Sequence, residues 1–287
     1  MIIFFESGRL GNQIFQYTFL RSLIEENEKL VLIGLNDIFE IFENIEAVNC
    51  KIKNKYIRYF LSKFIEPLFE FLANKKIISS YQQDEKSING YIQKGNNYLY
   101  KKGLIKNIKF VYQGYFQSEA FFDKKIPQAL KIKNVYTNKA DELLFSIPDN
   151  SYKIFVHIRR GDYLDWSVFG MSPLLPMSYF DKQIQWFLNN KKNCFFIFLS
   201  DDSSFIKNNF SDINNKKFSI NNSVGVDLAI MTLCDAGITS NSSLSWWGAY
   251  LMKNRDVVFI PKYWLGFKSN FWYPEGIKLS FAKSVKI

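Results

Sequence analysis

The chain has 287 residues, enough for two domains of ordinary size, each with its own core. With 47% hydrophobic and 22% charged residues it is globular rather than disordered, and 18% aromatic residues, 29 of them Phe, imply ring-rich cores and rings of the kind that line sugar-binding clefts. A net charge of +10 calls for an anionic partner, and the three cysteines (Cys50, Cys194, Cys234) lack metal-ligand spacing and leave one unpaired, which fits a reducing compartment.

Ile2 to Phe5 reads as a first strand, without a basic leader and too short for a signal peptide. Ser7 to Gln13 follows as a tight loop, and a helix opens at Ile14. Two glycines between strand and helix let backbone N–H groups approach an anion, although the spacing matches neither a dinucleotide fingerprint nor a P-loop. Lys29 to Gly34 completes a βαβ unit.

In residues 53–76, Ile57, Phe60, Leu61, Phe64 and Leu68 recur at helical spacing among Lys53, Lys55, Arg58 and Lys63, and Pro67 is expected to break or kink the helix. One reading is a basic amphipathic segment on an anionic membrane surface. The other, favoured from the sequence, is a pair of helices packed on the first domain with lysines facing water. Residues 81–107 read as loops and short elements, Lys109 to Phe116 as a strand, Gln117 to Phe122 as a helix start, and Val135 to Phe145 as a helix. The turn chemistry of Ser146-Ile147-Pro148-Asp149-Asn150 places a domain boundary there, giving domains 1–149 and 150–287.

The second domain opens with the apolar run Tyr152 to Ile158, a buried parallel strand that ends in His157, Arg159, Arg160, Gly161 and Asp162. Ligands of open α/β sheets bind beyond the carboxyl ends of strands, and paired arginines offer forked donors that match a diphosphate. The alternative is solvated arginines and a histidine that ends a strand. A helix over Tyr179 to Leu188, a strand over Cys194 to Leu199, a helix over Val226 to Cys234, a short strand over Ala236 to Thr239, a helix over Leu244 to Met252 and a strand over Val257 to Ile260 continue a Rossmann-like rhythm. Asp201 and Asp202 either hold a divalent cation or, as preferred here, cap the next helix. Five hydroxyls fall in the seven residues Thr239 to Ser245, just ahead of a helix N-terminus able to receive an anion.

His157 is the single histidine, so a zinc site of several imidazoles is excluded, and no nucleophile-elbow Gly-x-Ser-x-Gly supports a hydrolase. No apolar segment approaches the roughly 20 residues of a membrane span, so the expected location is cytoplasmic, or peripheral on a cytoplasmic face.

Gly8-Arg9-Leu10-Gly11-Asn12-Gln13-Ile14-Phe15-Gln16-Tyr17 resembles the N-terminal signature of the bacterial α-1,2-fucosyltransferases, glycosyltransferase family 11. His157-Ile158-Arg159-Arg160-Gly161-Asp162-Tyr163 resembles the His-x-Arg-Arg motif shared by α-1,2, α-1,6 and protein O-fucosyltransferases, and Ser240 to Gly248 resembles the third motif of the family. Gly114 to Glu119 and Pro261 to Trp264 add to the resemblance, and residues 35–108 say least. It implies an α/β, GT-B-like architecture of two Rossmann-like domains facing across a cleft, the N-terminal one on the acceptor side and the C-terminal one holding GDP-fucose.

By the same resemblance, Arg159 binds the β-phosphate and steadies the leaving GDP, while His157 and Asp227 contact the guanine or its ribose side. Ser243, with Ser242, donates to the diphosphate, and Gly8, Gly11 and Asn12 approach it from the other domain. Arg160 and Asp162 pair to hold the turn, and Asp162 and Asp165 are the candidates for general base. No cofactor or metal is expected. The implied reaction is inverting transfer of L-fucose from GDP-β-L-fucose to the 2-OH of a galactose on an oligosaccharide or lipid-linked glycan. Three alternatives remain open from the sequence: another GDP-sugar transferase of this architecture, a basic nucleic-acid-binding module, and a noncatalytic membrane-attached scaffold. The nucleic-acid reading is disfavoured, since the charge is dispersed and no RNA-binding aromatic signature is present.

Overall fold

A computed structural model of the protein describes residues 1–51 and 54–287, with side chains for all of these except residues 55 and 58. The chain divides into two compact units, Met1–Lys131 and Ile132–Ile287, each built on a six-stranded sheet.

The first unit runs β1 (Ile2–Phe5), α1 (Leu10–Leu23), β2 (Leu30–Ile33), α2 (Asn36–Ile41), β3 (Val48–Cys50), α3 (Lys55–Phe60), α4 (Glu66–Asn74), β4 (Ile78–Ile88), β5 (Tyr91–Lys101), β6 (Ile105–Val111) and α5 (Lys125–Ala129). Its sheet has the order β3-β2-β1-β6-β4-β5 and is parallel apart from the β4–β5 hairpin. All four residues of β1 are buried, because the sheet is covered on both faces. Ile3 and Phe5 share a cluster with Leu61, Ile65, Phe69 and Leu72, whereas Phe4 meets Phe116, which stacks on Phe19 of α1. The alternation of faces along the strand directs this division.

Two sequence expectations are corrected in this unit. Residues 81–107 are not loops: β4 and β5 form a long hairpin closed by Asn89 and Gly90, both with positive φ (51° and 80°). Asn-Gly is the dipeptide that a tight hairpin turn selects, and the many polar residues along both strands hid the pattern. Of the break or kink expected at Pro67, the break does not occur, and the backbone departs from α-helical bonding just before it. Leu61–Ile65 form a π turn, so the backbone is helical from Lys55 to Asn74, and Glu66 N–H reaches back to Leu61 O. Pro67 directly follows this π turn, whose wider ring lets the helix run past a residue with no N–H to donate. Lys53 lies outside the described residues, as do the side chains of Lys55 and Arg58.

The second unit runs α6 (Asn134–Leu144), β7 (Tyr152–Ile158), α7 (Met177–Asn190), β8 (Cys194–Ser200), α8 (Ser203–Asn209), β9 (Lys216–Ser219), α9 (Val224–Thr232), β10 (Ala236–Ile238), α10 (Ser243–Tyr250), β11 (Val258–Pro261) and β12 (Lys283–Val285). Its sheet, β12-β11-β10-β7-β8-β9, is parallel throughout. Ile154, Val156 and Ile158 pack with Phe180, Ile184 and Phe187 of α7, and Trp246 and Trp247 of α10 are fully buried. The sequence places the domain boundary at 149/150, but α6 packs on α9, with Tyr136 against Gly225, and so falls in the second unit. Among the described residues, no helix is long and apolar enough to cross a membrane.

Candidate active site

In each sheet the chain leaves the central strand in one direction, then returns to add strands on the other side. The reversal lies between β1 and β6 in the first unit and between β7 and β10 in the second. Crevices at such switch points are where open α/β sheets take ligands. The motifs that stand out in the sequence converge on these two places.

At the second switch point, Arg159 and Arg160 follow β7 and diverge, as neighbours in an extended chain do. Arg159 donates to Asp162 Oδ1 at 2.6 Å and pairs with Asp201 Oδ2 at 2.8 Å. Arg160 turns the other way: its Nε meets Asp202 Oδ2 at 3.2 Å and its guanidinium lies 3.6 Å from the centre of the Phe205 ring. The expected Arg160–Asp162 pair is therefore replaced by Arg159–Asp162 and Arg160–Asp202. Asp201 is the organiser of this turn, since its Oδ1 also accepts the Arg160 backbone N–H at 2.8 Å. Gly161 leaves room for this carboxylate, because a Cβ there would sit 2.4 Å from Asp201 Oδ2 and push it from its place beside Arg159. Asp202 caps α8 by accepting from Phe205 N–H at 2.9 Å, so both acidic side chains serve the arginines and the helix.

The loop after β10 is tied to this turn. His157 is buried, and its Nδ1 lies 2.8 Å from Ser240 Oγ. Burial, with the Arg159 cation as a second cause, drives the imidazole pKa down to about 3, so it acts as a neutral hydrogen-bonding group. Tyr163, whose ring lies 5.6 Å from the Arg159 guanidinium, donates its hydroxyl to Asn241 O at 2.8 Å. Tyr179 does the same to Thr239 O at 3.0 Å.

The hydroxyl-rich run now divides by role. Thr239 donates to Phe259 O, Ser240 meets His157, and Ser245 folds back to Ser240 O and Ser242 O. Among the described residues the Ser242 and Ser243 hydroxyls take no internal bond, and no side chain caps the α10 N-terminus. Backbone donors and two hydroxyls thus stand together where an anion is favoured.

Asp227 sits in the first turn of α9 and accepts from Ser219 Oγ at 2.5 Å. Ser219 is level with Leu199, which is level with His157, so Asp227 serves the same sheet edge two strands, roughly 10 Å, away. Burial raises its pKa to about 6, partly offset by the Ser219 bond. Asp165 follows the short helical turn Gly161–Leu164 and is exposed.

At the first switch point α1 begins at Leu10, earlier than the sequence suggests, so Gly11, Asn12 and Gln13 are helical. Gly8 (φ 87°) makes the preceding turn. Gln16 Nε2 bonds Ser7 O at 2.8 Å and Gly114 O at 3.1 Å, joining the loops after β1 and β6. Gln117 donates to Asn12 Oδ1 at 2.8 Å. No side chain caps α1 either.

The structure therefore gathers His157, Arg159, Asp162, Ser242 and Ser243 around one switch point, and Gly8, Gly11 and Asn12 around the other. Asp201, Tyr163 and Tyr179 are the organising residues the sequence does not single out for this work. The Ser200-Asp201-Asp202 run marked a strand end, but nothing local distinguished Tyr163 or Tyr179 from the many core aromatics.

The family model described as Glycosyl transferase family 11 matches residues 68–273. Among curated proteins, the chain is similar to the Escherichia coli O-antigen biosynthesis glycosyltransferase WbnK, at 26% identity over 90% of this chain and 93% of that protein. It is also similar to an Escherichia coli alpha-1,2-colitosyltransferase, at 28% identity over 88% of this chain and 87% of that protein. Among solved structures it is similar to the α-1,6-fucosyltransferase NodZ soaked with GDP-fucose, at 10% identity over 88% of this chain and 92% of that chain, with a TM-score of 0.53. POFUT1 in complex with GDP-fucose gives 10% identity over 90% and 97% of the two chains and a TM-score of 0.54. These two likenesses are of fold, and they make the fold GT-B-like, as the sequence implies. The match across most of the sequence, carrying the arginine turn and the serine-rich helix start within it, places this chain in glycosyl transferase family 11.

Proposed function

We propose that this enzyme transfers L-fucose from GDP-β-L-fucose to the 2-OH of a galactose residue, with inversion, giving an α-1,2 linkage. The observation that carries the reading is the β7–β10 switch point, where Arg159 and an uncapped helix with open Ser242 and Ser243 hydroxyls are joined through Tyr163 and Asn241. Arg159 is the residue for the β-phosphate, trading the exposed Asp162 for phosphate oxygens while Asp201 keeps it aimed. Asp227 accepts from guanine N–H groups, and His157 holds the Ser240 loop on the guanosine side. The first unit, with Gly8, Gly11 and Asn12 at its own switch point, is assigned the acceptor. The fucosyltransferase structures holding GDP-fucose and the α-1,2-colitosyltransferase relative support this reading.

In the reaction the galactose O2 attacks the anomeric carbon, the bond from that carbon to the GDP oxygen breaks, and the O2 proton passes to a carboxylate. The transition state is oxocarbenium-like, so cation and N–H donors at the departing diphosphate do most of the work, and the reaction is proposed to need no metal. Asp162, released when Arg159 turns to the phosphate, and the exposed Asp165 are the candidate bases, and Asp165, which holds no arginine, is the one to test first. The acceptor is proposed to be a galactose-ended, lipid-linked glycan on the cytoplasmic face of a membrane; the O-antigen relative supports it.

A second reading keeps the site and changes the sugar carried by GDP, and the colitosyltransferase relative favours it. The test is GDP release from GDP-fucose in EDTA against lactose, N-acetyllactosamine and other β-galactosides, followed by linkage analysis. Transfer to galactose O2 is the expected result. GDP binding without transfer moves the question to donor sugar and acceptor, and the absence of both overturns the site.

A further inference from the structure

Helices α3 and α4 are apolar on two faces. One face enters the core: Leu61, Ile65, Phe69 and Leu72 pack with Ile3, Phe5 and Phe110. The other carries Phe60, Phe64, Leu68 and Phe71, which are 51, 59, 50 and 54% exposed, led by Tyr56 and Tyr59 at 72 and 62%. Single exposed apolar residues are ordinary, but a row at i, i+4, i+8 and i+11 on the face where a surface helix normally carries charge is not. The packing of the helix explains the inner face and leaves the outer one unexplained.

Charge decides the occupant. Residues 51–76 hold seven Lys and Arg against two Glu. One of the two, Glu66, is buried and accepts from Gln113 at 2.7 Å, so it offers little negative charge outward. Lys63, Lys75 and Lys76 are exposed beside the row, with Lys75 Nζ 6.0 Å from the Phe71 ring. The patch continues past the helix: Leu104 N–H bonds Lys76 O at 2.9 Å, and its side chain is 84% exposed among the exposed Lys101, Lys102 and Lys106.

We propose that this face docks on an anionic lipid bilayer, the rings entering the headgroup boundary and the lysines meeting lipid phosphates. A bilayer satisfies the apolar row and the flanking cations at once. A second copy of the chain meeting face to face would bring like-charged lysines together. Because the inner face is fixed in the core, the helix lies flat rather than inserting. The inference is independent of which sugar is transferred.

The test is co-sedimentation of the full chain with vesicles of phosphatidylglycerol mixed with phosphatidylcholine, against phosphatidylcholine alone, at low and high salt. Wild type should bind the anionic vesicles and lose affinity with salt. The variant Phe60→Ser/Phe64→Ser/Phe71→Ser should lose roughly 100-fold in partitioning while keeping the wild-type thermal transition. Lys63→Glu/Lys75→Glu/Lys76→Glu should lose on the order of 100-fold on anionic vesicles only. Wild-type partitioning by either variant overturns the proposal, as does a wild type that ignores the vesicles. A wild-type dimer that the Phe variant dissolves, seen by light scattering, overturns it in favour of an interface between copies.

Discussion

At both switch points a central strand feeds toward a helix whose N-terminus no side chain caps, yet the surrounding groups differ. At the end of β7 stand Arg159, Arg160, Asp162, Asp201 and Asp202, a web of charges in which each guanidinium is held by a carboxylate, tied through Tyr163 to the loop that leads into α10. Around α1 the organising groups are amides: Gln13 bonds Gly8 O, Gln16 bonds Ser7 O and Gly114 O, and Gln117 bonds Asn12. Charges held by opposite charges stay aimed without collapsing onto each other, which suits a site that must grip a departing diphosphate. Gln13 and Gln16 are buried and spent on backbone carbonyls, so they fix the shape of the loops around α1 without adding charge. Under the proposed function, the same topology carries a leaving-group site in one unit and an amide-braced pair of loops in the other.

The largest expected effect breaks the charged side of this comparison. Arg159→Ala should abolish measurable transfer, a loss on the order of 3 kcal/mol or more in barrier, with an unchanged thermal transition. A folded, active Arg159→Ala enzyme would sink the assignment. Next, Asp165→Asn should lower kcat by roughly 10²-fold or more with little change in KM for the donor, and a near-wild-type kcat would remove Asp165 as the base.

The amide side predicts stability rather than rate. Gln16→Leu leaves two backbone carbonyls without their donor and should cost about 2 kcal/mol in urea unfolding, less than a buried charge would. The last effect depends on pH. The folded-state pKa of Asp227 is raised to about 6, above its ordinary 3.8, so between these values the folded chain holds more proton than the unfolded one. Stability contributed here falls as pH climbs from about 4 to about 6 and is level above. Asp227→Asn should therefore gain roughly 2 kcal/mol over wild type at neutral pH and nothing near pH 4, read by urea unfolding at the two pH values. GDP affinity in wild type should fall as pH drops through about 6, because a protonated carboxyl no longer accepts both guanine donors.

Much of the site was legible because its residues are contiguous. His157 to Asp162 and Ser240 to Ser245 are each a contiguous polar run at the end of a strand, and the tertiary structure places them together through the His157–Ser240 bond. Other parts were hidden. The Arg160–Asp162 pairing failed because Asp202, remote in sequence, is the nearer partner in space. The β4–β5 hairpin was obscured because both its strands are polar, although Asn89-Gly90 marked its turn. The outer row of α3 and α4 was visible as a period, but a period cannot say which of two apolar faces is buried.

The sequence by itself determined the four central strands of the second unit and the helices α7, α9 and α10 between them, though not β9 or β12, together with the two glycine-bearing loops, the arginine turn and the serine-rich helix start, because local period and turn chemistry are written in adjacent residues. Only the tertiary structure decided which carboxylate holds which arginine, that His157 is neutral and buried, and where the units divide. It alone also decided that Phe60, Phe64, Leu68 and Phe71 face outward. The physical reason is common to all four: burial and ion pairing depend on what a distant strand or helix brings alongside, and strand order is set by the whole sheet rather than by any one stretch of it.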